Sequence, residues 1–199
     1  PPPQLRGLVR ASSETGGPAW QGKTWPLRDK HTLERYLPGL ELSPIGTVTA
    51  ISLPENNLNG CVARGLLKGL PYLAMLDLPG NRGRGGSLPG AALGALVVLQ
   101  VLNPGGCSLN RPLPPKITLT TQVQELRIRD SALSGSALPR TTDMTRLQLL
   151  ELSQNKSDGE LSQSQSAQAS QVAAAQRKQK SRALSGWTGQ SCSPSSSWT

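Results

Sequence analysis

The stretch 48–60 reads VTAISLPENNLNG and follows the pattern LxxLxLxxNxLxG, in which Val48, Ile51 and Leu53 take the first apolar places. Four further copies of the pattern begin at Leu73, Leu99, Val123 and Leu147. Successive copies begin 25, 26, 24 and 24 residues apart. A helical period of about 3.6 residues does not generate five matches at so constant an interval. The spacing therefore predicts a stack of short repeats.

The segment LxL in each copy predicts a short strand, because alternate residues of a strand point to opposite faces. Leu76 and Leu78 then point into the core, and the residue between them points outward. Stacking aligns these outward residues into one strip on the concave side. The strip consists of Ser52, Asp77, Asn103, Arg127 and Glu151, and it is flanked by Glu55, Glu125 and Arg129.

An asparagine follows the strand in three copies, at Asn56, Asn81 and Asn155. Backbone groups in the turn after a strand are buried and need partners, and an amide side chain both donates and accepts. We expect these asparagines to form a buried ladder. Cys107 and Ser131 take the same place in the third and fourth copies and predict a weaker ladder there. Copy three also has Pro104 where the second strand leucine is expected.

The full motif LxxLxLxxNxLxGxLP resembles the leucine-rich repeat of plant receptors, and it is also similar to that of trypanosomatid surface antigens and proteophosphoglycans. The segments VTAISLPENNLNG, GSLPGAALGALVVLQVL and LSGSALPRTTDMTRLQLLELSQNKSDGEL carry the second resemblance. We predict an α/β solenoid, a short right-handed superhelix of leucine-rich repeats with parallel concave strands and mostly irregular convex connections. The resemblance implies a surface or secreted glycoprotein that binds other molecules through its repeats.

Composition divides the chain into four parts. Residues 1–28 begin PPP and are rich in Gly, Ser and Thr, which predicts disorder or loose attachment. Residues 29–47 are interpreted as an N-terminal cap, with Trp20 or Trp25 covering the open end. Within them, residues 29–42 have an apolar pattern typical of a short helix that is interrupted near Pro38. Residues 48–161 hold the five repeats, and residues 162–199 form a Ser- and Gln-rich low-complexity tail.

The residues that metal and acid–base chemistry need are scarce. The chain has one histidine, His31, and three cysteines without a CxxC pair, which argues against a metal centre and against a dense disulfide framework. The glycine cluster NRGRGG at 81–86 lacks the Lys-Ser/Thr that a phosphate loop requires. We therefore predict no enzyme activity, no cofactor and no small-molecule substrate.

The net charge is +9, and residues 162–199 hold four basic residues and no acidic ones. We interpret the excess as solubilising tails and argue against nucleic-acid binding, because no aromatic residues accompany the RGRGG segment. The chain does not begin with Met and has no signal peptide or apolar membrane span, so we expect a fragment or a processed chain, attached to any membrane by parts outside it.

We predict a monomeric recognition module at the cell surface or outside the cell. It would bind a protein or glycan through Ser52, Asp77, Asn103, Arg127, Arg129 and Glu151. Two alternatives remain open at this point. The chain could be the repeat region of a larger signalling protein such as a receptor kinase, or the concave strip could be a plain solvated sheet face.

Overall fold

The protein is a solenoid built on one open sheet. The computed structural model describes residues 3–21, 25, 37–59, 67, 69–81, 88–104, 113–129 and 144–152. In these ranges six strands lie side by side in chain order: β1 (Leu40–Leu42), β2 (Val48–Ser52), β3 (Met75–Asp77), β4 (Val101–Asn103), β5 (Glu125–Arg127) and β6 (Leu149–Glu151). Strands β2 to β6 are parallel, each paired with the strand of the next repeat. The predicted leucine-rich repeat solenoid is confirmed.

The core is a set of aliphatic columns, one for each inward position of the repeat. Leu76 and Leu102 are fully buried at the centres of β3 and β4, and Leu78 is buried just after β3. Burying one such side chain contributes about 1.5–3 kcal/mol, so the repeated leucines are the main source of stability. The same positions in neighbouring repeats fall in register, with Ile51 opposite Leu76 and Leu76 opposite Leu102.

The convex side is built from short turns of helix. A one-turn helix α2 (Gly90–Leu93) and a 3₁₀ helix (Pro115–Leu119) follow Leu-Pro pairs, where the missing N–H of proline does no harm. They bury Leu93 and Ile117 against the sheet. These connections match the predicted irregular convex side.

Asn81 forms the rung of the asparagine ladder that the sequence predicts between the first two repeats. Its Oδ1 accepts hydrogen bonds from the backbone N–H of Asn56 at 2.9 Å and of Leu58 at 3.0 Å. Its Nδ2 donates to the carbonyls of Leu53 at 2.7 Å and Leu78 at 2.9 Å. One buried side chain thus closes the turn in its own repeat and in the preceding one. Asn56, the rung predicted for the first repeat, is fully buried as expected. The remaining predicted rungs, Asn155, Cys107 and Ser131, lie outside the described residues.

Pro104 shortens the row of backbone hydrogen bonds between β4 and β5. At three of the steps the residue that follows a strand donates its N–H to the next strand, as Leu78 does to Asn103 at 2.8 Å and Leu53 does to Asp77 at 2.9 Å. Proline has no N–H to donate at the same place. The paired register of β4 and β5 accordingly ends at Leu102 and Leu126, one residue earlier than at the neighbouring steps.

The prediction of disorder or loose attachment over residues 1–28 is wrong for the described part of that segment. It contains helix α1 (Pro3–Glu14) and a 3₁₀ helix (Gly17–Ala19), with Leu8 fully buried. Gln4 Oε1 accepts a hydrogen bond from the Val48 N–H at 2.8 Å, and the Asn59 N–H donates to the Thr15 carbonyl at 2.9 Å. Contacts with the first repeat stabilise this segment, and composition alone does not reveal them.

Both tryptophans of the N-terminal segment join the core, which extends the expectation that one of them covers the open end. The rings of Trp20 and Trp25 meet edge to face, with centroids 4.9 Å apart. Their indole N–H groups donate to the carbonyls of Thr15 and Pro38 at 3.0 and 3.1 Å. The helix predicted within 29–42 is wrong at its C-terminal end, where residues 40–42 form β1, antiparallel to β2. Residues 29–36 lie outside the described residues.

Candidate binding surface

The five residues predicted to form the concave strip occupy one position on five successive strands. Ser52 is paired with Asp77, Asp77 with Asn103, and Arg127 with Glu151. We call Ser52, Asp77, Asn103, Arg127 and Glu151 the polar row. Four of its members are half-buried and Asn103 is buried. The row is therefore less exposed to solvent than a row of outward-pointing side chains is expected to be.

Hydrogen bonds join the polar row across its first three strands. Asn103 Nδ2 donates to Asp77 Oδ1 at 2.8 Å, and Ser52 Oγ donates to Asp77 Oδ2 at 3.4 Å. Both carboxylate oxygens of Asp77 thus have partners inside the sheet. These bonds fix the side-chain positions before any ligand arrives, which lowers the entropy cost of binding.

Ion pairs hold the last two strands of the surface. Arg127 Nη2 lies 2.7 Å from Glu125 Oε2 within β5. Arg129 pairs with Glu151 across the step from β5 to β6. All four side chains are partly exposed, so each pair contributes at most about 1 kcal/mol to stability. They set the orientation of the charges that a ligand meets.

A second row of side chains faces the same side, and the sequence prediction named only one of its members, Glu125, as a flanking residue. It lies two residues before the polar row, so strand alternation turns it to the same face. Its members are paired in register from β2 to β6. They are Ala50, Met75, Val101, Glu125 and Leu149. Four of the five are apolar, which gives the concave face an apolar row beside a polar one.

The signal for the second row was present in the repeat spacing. Each concave strand turns two residues to this face rather than one, and the sequence interpretation was centred on the residue between the two core leucines. Met75 and Val101 are half-buried, and Leu149 is 37% exposed. The concave face therefore combines a polar and an apolar row and is amphipathic. Predicted Glu55 lies in the exposed turn after β2, beyond the strand face.

The described residues show no grouping that suggests a metal centre. Across those ranges, no three His, Cys, Asp or Glu side chains come together in a way that could hold a metal ion. Within the same ranges no helix is both long and apolar enough to cross a membrane.

Comparisons with known proteins place the fold among plant receptor ectodomains. No family model and no curated protein matches the chain. Among solved structures, the BIR2 ectodomain from Arabidopsis thaliana has a TM-score of 0.68 at 24% identity, over 76% of this chain and 80% of that one. The BIR3–SERK2 complex from the same plant gives a TM-score of 0.62 at 24% identity, over 76% and 81%. The ectodomain-like fold is thus shared over most of both chains.

A third similar structure is that of Pollen Receptor Kinase 3. It has a TM-score of 0.58 at 23% identity, covering 75% of this chain and 72% of that one. At these identities the likeness establishes the fold alone. The chain has the plant-type leucine-rich repeat fold, and its binding properties have to be argued from its own residues.

Proposed function

We propose that this chain is a non-enzymatic recognition module that binds a protein partner through the concave face of its sheet, at the cell surface or outside the cell. The observation that carries the proposal is the paired arrangement of two rows on that face. The polar row is fixed by hydrogen bonds at Asp77, and the second row offers Met75, Val101 and Leu149 for apolar contact.

Such a surface fits a segment of polypeptide better than a glycan. Its apolar row can bury side chains, while its polar row can bind main-chain or charged groups, and protein interfaces combine these two features. One of the similar structures, that of BIR3 with SERK2, is itself a complex between two proteins. The concave face lacks exposed Trp or Tyr within the described strands, so we expect moderate affinity.

The ligand-contacting residues we propose are Asp77, Arg127, Arg129 and Glu151 from the sequence prediction, joined now by Met75 and Val101. Ser52 and Asn103 act mainly by orienting Asp77, since each donates to one of its carboxylate oxygens. A ligand would therefore meet an Asp77 whose position does not change on binding.

The repeat region of a larger signalling protein is the second candidate. It is favoured by the likeness to receptor ectodomains, which are joined to other domains in the complete receptors. The full-length reading frame discriminates between the two: a catalytic domain beyond the repeats supports the second candidate, and an anchor without one supports the first. The resemblance to trypanosomatid surface antigens stays a prediction that the same reading frame tests.

A displayed-peptide selection tests the proposed surface. The chain is immobilised, random peptides are selected on it, and the affinity of each recovered binder is measured again on single variants. We expect Met75→Ser and Arg127→Gln to weaken most binders. Arg10→Gln is the matched control, since Arg10 also pairs with a glutamate at 2.7 Å but on helix α1. Binders that keep full affinity for both concave variants would refute the proposal.

A further inference from the structure

Exposed apolar residues gather at one edge of the solenoid. Of the seven large apolar residues that are exposed in the described part of the chain, five lie where the chain approaches the start of a concave strand. We call these five residues the strand-start rim: Leu42, Ile45, Tyr72, Val97 and Leu119. A cluster of this kind on one edge indicates an interaction surface, whereas single exposed apolar residues do not.

The register of the sheet brings the rim residues to the same edge. Leu42 and Ile45 lie at the connection from β1 to β2, and Tyr72 and Val97 lie shortly before β3 and β4. Leu119 ends the 3₁₀ helix before β5 and lies 3.3 Å from the position a Cβ would take at Gly94. Since β2 to β5 are parallel and in register, the segments that precede them stack along one side.

The most exposed member of the rim is held in a rigid turn. Ile45 is 86% exposed and follows Pro44 at the tip between β1 and β2. The Gly46 N–H donates to the Ser43 carbonyl at 2.8 Å, and Gly46 has a φ of 75°, which a glycine adopts without strain. The hydroxyls of Ser43 and Thr47 lie 2.6 Å apart below the tip. The turn therefore presents Ile45 to the surroundings in a fixed position.

The rim is mainly apolar and basic, and its one acidic residue among the described segments is Glu41, next to Leu42 in β1. Residues 43–47, 69–72, 94–98, 113–122 and 144–146 contain no Asp or Glu, and they contain the exposed bases Lys116 and Arg146. Glu41 is paired in register with Ala50, a member of the second row of the sheet face. The whole chain carries a net charge of +9.

Shape and charge together select the kind of partner. A second copy of the chain would bring Lys116 and Arg146 against like charges. A protein partner would need a pocket shaped to receive an isolated protruding Ile45. A lipid bilayer needs no such pocket, because its interface accepts protruding aliphatic and tyrosine side chains while its anionic headgroups attract Lys and Arg.

We propose that the strand-start rim docks on an anionic lipid bilayer. Ile45, Tyr72, Val97 and Leu119 enter the boundary between headgroups and acyl chains, and Lys116 and Arg146 lie among the phosphates. The rim is an edge of the solenoid, so docking leaves the concave face open. This inference rests neither on the proposed protein recognition nor on the proposed location of the chain, and either proposal can fail alone.

Co-sedimentation of the full chain with vesicles tests the proposal. We expect binding to vesicles that contain phosphatidylserine and much weaker binding to vesicles of phosphatidylcholine alone. The variant Ile45→Ser, Tyr72→Ser, Val97→Ser should lose at least about tenfold in partition, because three inserted apolar side chains are removed. It retains every basic residue of the chain, so the loss isolates the rim from general charge attraction.

The control variant is Val9→Ser, Leu149→Ser, which removes exposed apolar residues from helix α1 and from β6 and should bind vesicles like the native chain. The double variant Lys116→Glu, Arg146→Glu should bind the phosphatidylserine-containing vesicles more weakly and should bind the phosphatidylcholine vesicles as the native chain does. Absence of binding to anionic vesicles would overturn the proposal, and so would equal binding by the triple serine variant. Absence of vesicle binding together with a dimer that the triple variant abolishes would assign the rim to a second copy of the chain.

Discussion

Asn81 in the second repeat accepts a hydrogen bond at 2.9 Å from the backbone N–H of Asn56 in the first. The same side chain donates to the carbonyl of Leu53 at 2.7 Å, so it satisfies groups on both sides of a buried turn. The link between neighbouring repeats is therefore a side chain as well as a sheet ladder. This explains why an asparagine recurs where the pattern could have taken any small residue.

Replacing Asn81 should lower the free energy of unfolding without changing the hydrophobic core. Asn81→Ala leaves buried donors and acceptors of the first two repeats without partners, and we expect a loss of roughly 1–3 kcal/mol in the free energy of unfolding. Urea unfolding followed by circular dichroism measures it. The control is Asn59→Ala, the same substitution at an exposed position. Equal effects of the two substitutions would contradict the ladder.

The N-terminal helix should contribute to the stability of the repeats. Leu8 is fully buried and its neighbour Val9 is 42% exposed, which gives a matched pair on one helix. Leu8→Ala should destabilise the protein by about 2–5 kcal/mol, because it leaves a cavity in the core. Val9→Ala should change stability by no more than about 0.5 kcal/mol. A disordered N-terminal segment would make both substitutions neutral in a thermal melt.

Gly80 and Glu55 occupy the same turn position in successive repeats, and a side chain introduced at Gly80 is expected to clash with that of Glu55. Gly80 has a φ of 72°, and a Cβ added to it would lie 2.7 Å from Cγ of Glu55. Gly80→Ala should therefore destabilise by roughly 1 kcal/mol or more. In a Glu55→Ala background the same substitution should cost less, since the Cγ is gone and the backbone strain alone remains. A double-mutant cycle without coupling would contradict this contact.

Charge changes on the concave face should affect stability through the ion pairs that the structure shows. Reversal of Arg127 and Arg129 to glutamate would bring negative charge to Glu125 and Glu151. We expect the double reversal to melt at a lower temperature than the neutral variant Arg127→Gln, Arg129→Gln. Added salt should narrow the difference, because it screens repulsion between exposed charges. Identical melting temperatures of the two variants at low salt would contradict the ion pairs of Arg127 and Arg129.

Much of the fold could be predicted because the same residue type recurs at the same position of several repeats. Leu76 and Leu78 follow from alternation along a strand, and Asn81 follows from the needs of a buried turn. The burial of Leu8 was not predicted, because the apolar positions Leu5, Leu8 and Val9 make only a short pattern among Pro, Arg and Gly residues. The helix that carries Leu8 is bonded to the first repeat far along the chain, through Gln4 and Val48, and this long-range contact has no signal in the local sequence.

The candidate surface was predicted in part. The polar row followed from the repeat, and its register is as expected at Ser52 and Asp77. Met75 and Val101 were overlooked because their apolar character suggested nothing about a binding face. The contact of Asn103 with Asp77 joins two repeats and depends on side-chain rotamers, which no repeat pattern encodes.

Amide hydrogen exchange on the chain bound to its tightest selected peptide tests the central proposal most directly. We predict that the peptide slows exchange in the segments around β3, β4 and β5, which carry Met75, Val101 and Arg127. Segments of helix α1 and of the convex 3₁₀ helix at Pro115–Leu119 should exchange as in the free chain. Protection confined to those outer segments, with the concave strands unchanged, would contradict recognition by the concave face.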